Sequence, residues 1–162
     1  MSDIIRAVRD FLVTDTVQSD AIREQGRQAF QAEIGENVFE GRLRRASSRS
    51  AIVLSSLSDN PEGAIDQPID FTAIILEVEL YLRDTDEITA AARTRTVATA
   101  LRQWLHKYRG PLNGTVSTDG IFYESGPILS MLRASDASGN WKYRSIINYR
   151  MGVPIASASG VS

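Results

Sequence analysis

The chain has 162 residues, 43% of them hydrophobic and 23% charged, with a formal net charge of -2 and a pI of about 5.4. That length suits one domain with its own core, and the charge supplies no global pull toward nucleic acid or an anionic membrane. Cysteine is absent, which excludes disulfides, thiolate catalysis and cysteine metal sites.

Met1 to Arg6 builds no apolar signal region, and no stretch approaches the roughly 20 apolar residues of a membrane span. A protein made and folded in a cytoplasm is expected. Ile4, Ile5, Val8, Phe11 and Leu12 recur at helical spacing behind Ser2 or Asp3 as cap, predicting a short N-terminal helix. Val17, Ala21 and Ile22 suggest a second short helix between Thr14 and Gly26. Val38–Leu43 and Ala51–Leu57 read as strands, and Ser58–Asp70, rich in Asp, Asn, Pro and Gly, as a long acidic loop.

The run Ile74 to Arg83 alternates strictly. Ile74, Leu76, Val78, Leu80 and Leu82 are apolar, while Glu77, Glu79, Tyr81 and Arg83 point the other way. This is a strand with one face buried and one wet. Asp84 to Glu87 then offers N-cap oxygens, with Glu87 three residues after Asp84 as in a capping box. A long helix over Thr85–Arg109 follows, with Ile88, Val97, Leu101, Trp104, Leu105 and Tyr108 on its buried stripe and Gly110-Pro111 as its stop. Leu112–Gly120 reads as a loop. Ile121–Arg133 reads as a strand bulged at Gly126-Pro127, because proline lacks a ladder donor. Asp136–Asn140 is a predicted turn, and Trp141–Met151 alternates as a long last strand. Residues 1–152 are expected to form a single domain, and 153–162 a flexible tail.

No catalytic kit accompanies these elements. His106 is the one histidine; in the last turn of a helix it reads as a structural surface residue favoured by the dipole. Asp84, Asp86 and Glu87 read as capping acids before they read as a cation site. Glu77 and Glu79 form a carboxylate pair on one strand face, expected to be solvated and paired across the sheet with Lys142 and Arg144. Asn113-Gly114-Thr115 reads as a turn, Trp104 as core, and no glycine-rich phosphate loop is present. Arg42, Arg44, Arg45 and Arg49 form the one basic cluster, expected on a hairpin. Without interleaved aromatics it suits a protein contact or a solvated surface better than nucleic acid. Asp59, Glu62, Asp66 and Asp70 carry the opposite charge nearby in sequence. These eight residues are the candidate protein interface, since opposite charges steer surfaces together.

The order of elements carries a resemblance. A short helix precedes Val38-Phe39-Glu40-Gly41-Arg42-Leu43 and Ile52-Val53-Leu54-Ser55. The alternating strand Ile74–Arg83 feeds a helix ending Leu101-Arg102-Gln103-Trp104-Leu105, and a loop with Asn113-Gly114 leads into two final strands. Over residues 1–152 this pattern resembles the tail-terminator (tail-completion) family of long-tailed bacteriophages. The resemblance implies a non-enzymatic virion structural protein without cofactor or metal. It implies a hexameric ring that caps the head-proximal end of the tail tube, stops its polymerisation and joins the head-tail connector protein. The partners would be further copies of the chain, the tail tube protein and the connector, with DNA only in transit through the lumen and no membrane contact. The acidic stretch Ser58–Asp70 and the tail Val153–Ser162 depart from the pattern. The alternatives are another head-tail connector or neck subunit, or a cytosolic α+β binding module.

The expected fold is thus α+β: one mixed or antiparallel sheet with the long helix on one face and a short N-terminal helix. Long strands such as Ile74–Arg83 and Trp141–Met151 are expected to offer sheet edges to neighbouring subunits.

Overall fold

The period-two run sits at the centre of the molecule. The computed structural model describes residues 2–41, 50–62, 71–84, 86–130 and 141–154. In it the run lies within strand β3 (Phe71–Asp84), with β2 (Ala51–Glu62) on one side and β6 (Trp141–Pro154) on the other. Ile74, Leu76, Val78, Leu80 and Leu82 are all buried, and Glu77 and Glu79 are not. The register follows from that pattern, because a slip of one residue would turn every apolar side chain outward. Opposite them, Ile52 and Leu54 of β2 face Leu80 and Val78, while Ile147, Tyr149 and Met151 of β6 face Val78, Leu76 and Ile74.

Among the described residues the sheet has six strands in the order β1-β2-β3-β6-β5-β4, where β1 is Val38–Glu40, β4 Tyr108–Pro111 and β5 Ser117–Ser130. It is mixed: β1 runs parallel to β2 and every other pair is antiparallel. The α+β class and the bulge in β5 are as the sequence predicts. The register of β5 on β6 shifts between Ser125 and Ile128, on either side of Gly126-Pro127.

Helices α1 (Ser2–Val13), α2 (Ala21–Ile34) and α3 (Glu87–Leu105) join one hydrophobic core with the sheet. From α1 come Ile4, Ile5, Val8, Phe11 and Leu12; from α3 come Val97, Leu101, Trp104 and Leu105. Phe11 and Phe30 close on the Trp104 ring at centroid distances of 5.2 and 5.7 Å. Such contacts exceed simple area burial by about 0.5–1.5 kcal/mol.

Several local expectations need correcting. The second helix starts where the sequence suggested one to be ending. Asp20 caps it by accepting from the Arg23 amide at 2.9 Å, and Phe30 and Ile34 anchor it. Val17 and Ile22 are exposed; without an apolar stripe before residue 26, the sequence signal was weak. Helix α3 is capped by Asp86, whose carboxylate accepts from the Thr89 amide, while Asp84 belongs to β3. Ile88 is 78% exposed, because six residues before Thr94 places it about 120° from the buried stripe. The helix stops at Leu105, not Arg109. Lys107 turns to φ 64° and donates its amide to the Ile121 carbonyl at 2.6 Å, and Tyr108 enters β4 with its ring 4.6 Å from Phe11. Gly110-Pro111 ends an edge strand rather than a helix.

The stretch Ser58–Asp70 is not a loop throughout. Strand β2 continues to Glu62 and pairs it with Phe71, after a register shift between Ser56 and Ser58. The expected arginine hairpin lies outside the described residues; β1 and β2, which precede and follow it, run parallel and so are not two arms of one hairpin. The long strands β3 and β6 are interior; the edges are the short strands β1 and β4. The predicted turn at Asp136–Asn140 lies outside the described residues. Strand β6 runs to Pro154 with Val153 buried, and 155–162 also lie outside.

Candidate functional site

Arg42, Arg44, Arg45 and Arg49, and on the acidic side Asp66 and Asp70, lie outside the described residues. Asp59 and Glu62 fall on β2 opposite Ile74 and Phe71. The two charged stretches leave β2 at opposite ends. Its 12 residues span about 40 Å at strand rise, which separates the two points where the charged stretches join it.

The sheet face away from the helices carries a polar network. Arg144 on β6 sits beside Glu79 on β3, with its Nε donating to Glu79 Oε2 at 2.9 Å, and the Tyr81 hydroxyl donates to the same oxygen at 2.6 Å. The Arg144 bond, aided by Tyr81, holds Glu79 below the usual carboxylate range despite its partial burial. Glu77, two residues away, moves the other way: burial raises it, and the Glu79 charge raises it further. The expected cross-strand partner Arg144 is therefore found, on Glu79. The two carboxyl groups also hydrogen-bond one another, which raises Glu77 and lowers Glu79, so a clamped carboxylate stands beside one that favours its proton. Val53 of the same face is 2% exposed, with Phe39 and Glu79 as its cross-strand neighbours.

His106 is half-buried rather than a free surface group. Its Nδ1 accepts the Tyr123 amide at 3.1 Å, and its ring meets Phe122 edge-on at 6.2 Å. Burial first, then the Lys107 and Arg102 charges, hold its pKa below the ordinary value. It serves as a neutral acceptor for a backbone amide and not as a cation on the helix dipole.

A further surface escaped the sequence reading. The start of α2 and the end of α3 bound a groove of about 460 Å³ lined by Asp20, Ile22 and Arg23 on one side and by Thr99, Arg102, Gln103, His106 and Lys107 on the other. Arg23 is pinned there, its Nε donating to the Trp104 carbonyl at 3.0 Å. Arg102 lies 3.9 Å over the Tyr123 ring. The two contributing stretches, residues 20–23 and 99–107, lie 76 positions apart, so no sequence window shows the cluster. The one local signal was Arg102 and Lys107 near the end of a predicted helix. A second groove, of about 430 Å³, is lined by Arg6, Arg9, Val38, Phe39 and Glu40; there Arg9 covers the open side of β1 by donating to the Val38 carbonyl at 3.0 Å. Among the described residues no three His, Asp or Glu side chains are grouped to hold a metal ion, and no helix is long and apolar enough to cross a membrane.

No protein-family model and no curated protein matches the chain. Among solved structures, it is similar to a chain of a structure described as "Virion of native gene transfer agent (GTA) particle". The identity is 15%, covering 87% of this chain and 99% of that one, with a TM-score of 0.47.

Proposed function

We propose that the chain is a virion structural protein: a non-enzymatic tail-terminator subunit that closes into a hexameric ring on the head-proximal end of a phage tail tube. The ring stops tube polymerisation, joins the head-tail connector protein and lets DNA pass through its lumen. One observation supports the reading above others. The elements that carry the sequence resemblance fold as a unit, α1 and the β3-to-α3 passage packing on one side of the sheet. The opposite sheet face is left with a polar network and no described helix. A part of this kind presents surfaces to other chains, and a heterologous contact that closes makes a ring. Because both sheet edges are short, copies meet through side chains and loops rather than through long strands. Arg42, Arg44, Arg45, Arg49, Asp59, Glu62, Asp66 and Asp70 remain the proposed interface charges.

Light-scattering mass combined with negative-stain imaging tests this. A six-fold ring, alone or on tail tubes, is the expected result. A chain that stays monomeric with tail tubes present overturns the reading.

A further inference from the structure

We propose that the basic groove between α2 and α3 is a docking site for the acidic segment Asp59–Asp70 of a second copy of the chain. The inference rests on the ring reading and says which surfaces close it.

The groove is built to receive an anionic, partly apolar peptide. Arg23 is fixed by the carbonyls at the end of α3, and it also stands 5.7 Å over the Tyr108 ring. Arg102 is fixed over Tyr123. Positioned cations lose little side-chain entropy on binding. Neither Arg102 nor Lys107 has an ion-pair partner among the described residues. The one acid in the lining, Asp20, is occupied as the α2 cap. Apolar contact is offered as well: Ile22 is 62% exposed within the groove, and Phe122, 46% exposed, stands edge-on to His106 at its end.

The segment has the complementary chemistry. Asp59, Glu62, Asp66 and Asp70 alternate with Pro61, Ile65, Pro68 and Ile69, and Lys and Arg are absent from the stretch. Opposite charge selects the partner and the apolar residues supply contact area. Location selects a second copy. Lys107 leads straight into β4, at one edge of the sheet, whereas the segment joins β2 to β3, on the other side of β6. Two different surfaces of one subunit, set apart by the strands between them, are what a head-to-tail contact needs in order to repeat and close.

Charge exchange between full-length chains tests it. The groove variant carries Arg102→Glu and Lys107→Asp, the latter because aspartate tolerates a positive φ. The segment variant carries Asp66→Lys and Asp70→Lys. Each alone should weaken assembly at least tenfold by light-scattering mass, with circular dichroism unchanged. An equimolar mixture of the two variants should recover assembly, since each groove then meets a segment of opposite charge on the other chain. Should the reversed groove fail to fold, Arg102→Gln with Lys107→Asn should weaken assembly by a smaller factor. Variants that assemble like the wild type overturn the docking and leave the ring reading standing. Recovery only when both reversals sit on one chain, and not in the mixture, overturns docking between copies. A monomeric wild type overturns both.

Discussion

Gly26 of α2 meets Ala100 of α3 backbone to backbone: a Cβ on Gly26 would fall 2.5 Å from the Ala100 carbonyl oxygen and 2.9 Å from the Trp104 amide nitrogen. In an isolated helix Gly→Ala gains up to about 1 kcal/mol. Here the added methyl meets backbone, which moves only if the helices part, and overpacking of that kind costs about 1–3 kcal/mol. Gly26→Ala should therefore lower stability by about 1–2 kcal/mol, read as a lower urea midpoint at unchanged slope. A variant as stable as the wild type would show that α2 and α3 do not pack this closely.

His106 holds the Tyr123 amide through an unprotonated nitrogen, so its contribution depends on pH. Its folded-state pKa lies below the ordinary value of about 6.5, through burial and the charges of Lys107 and Arg102. The neutral ring contributes fully above that value. As pH falls through it, the unfolded chain takes up a proton that the folded chain resists, and stability declines. His106→Ala should cost about 1 kcal/mol at pH 8 for the lost hydrogen bond, and the difference from wild type should shrink toward pH 5. His106→Asn, which keeps an acceptor at the same position, should restore most of the loss at pH 8. A pH-independent difference would contradict the neutral-acceptor role.

Glu77 offers the opposite sign. Its folded-state pKa is raised by burial and by the Glu79 charge, so the unfavourable ionised form is absent at low pH and develops as pH rises through the carboxylate range. Glu77→Gln should raise the melting temperature slightly at pH 7 and leave it unchanged near pH 3. The gain stays below about 1 kcal/mol because water screens a half-exposed pair. Arg144→Met should do the reverse at pH 7, leaving Glu79 without its clamp. A lower melting temperature for Glu77→Gln at pH 7 would show that the Glu77 charge is held by a favourable partner.

Much of this fold could be read directly from periodicity. Ile74 to Leu82 fixed the register of the central strand, and Ile4 to Leu12 fixed α1, because each buries one unbroken apolar face. Helix α2 was obscured because its contact with α3 uses Gly26, a residue that normally speaks against a helix interior. The end of α3 was misplaced because Tyr108 fits the helical stripe and the core equally well, and the positive φ of Lys107 leaves no local signature. Strand order lies beyond any window of sequence. Without it β3 and β6 looked like available edges, and the Arg23, Arg102 and Lys107 groove was dispersed over separate elements.

The arginine segment yields the remaining prediction. Arg42, Arg44, Arg45 and Arg49 carry four positive charges within eight residues, and the chain that holds them joins β2 at Ala51, whereas the acidic segment continues it beyond Glu62. A ring that also docks on a tail tube needs a second contact surface besides the one between its copies. The arginines are proposed to supply it, to the tube or to a neighbouring copy. Arg44→Glu with Arg45→Glu should weaken ring or ring–tube assembly while leaving circular dichroism unchanged. High salt should partly mimic the defect in the wild type, because exposed charges are screened over about 10 Å at 0.1 M salt. Sedimentation of the chain with and without tail tubes separates the two contacts. Loss of tube binding with an intact ring assigns the arginines to the tube, and loss of the ring itself assigns them to the copy–copy contact. Full assembly in both measurements would remove the arginine segment from the interface.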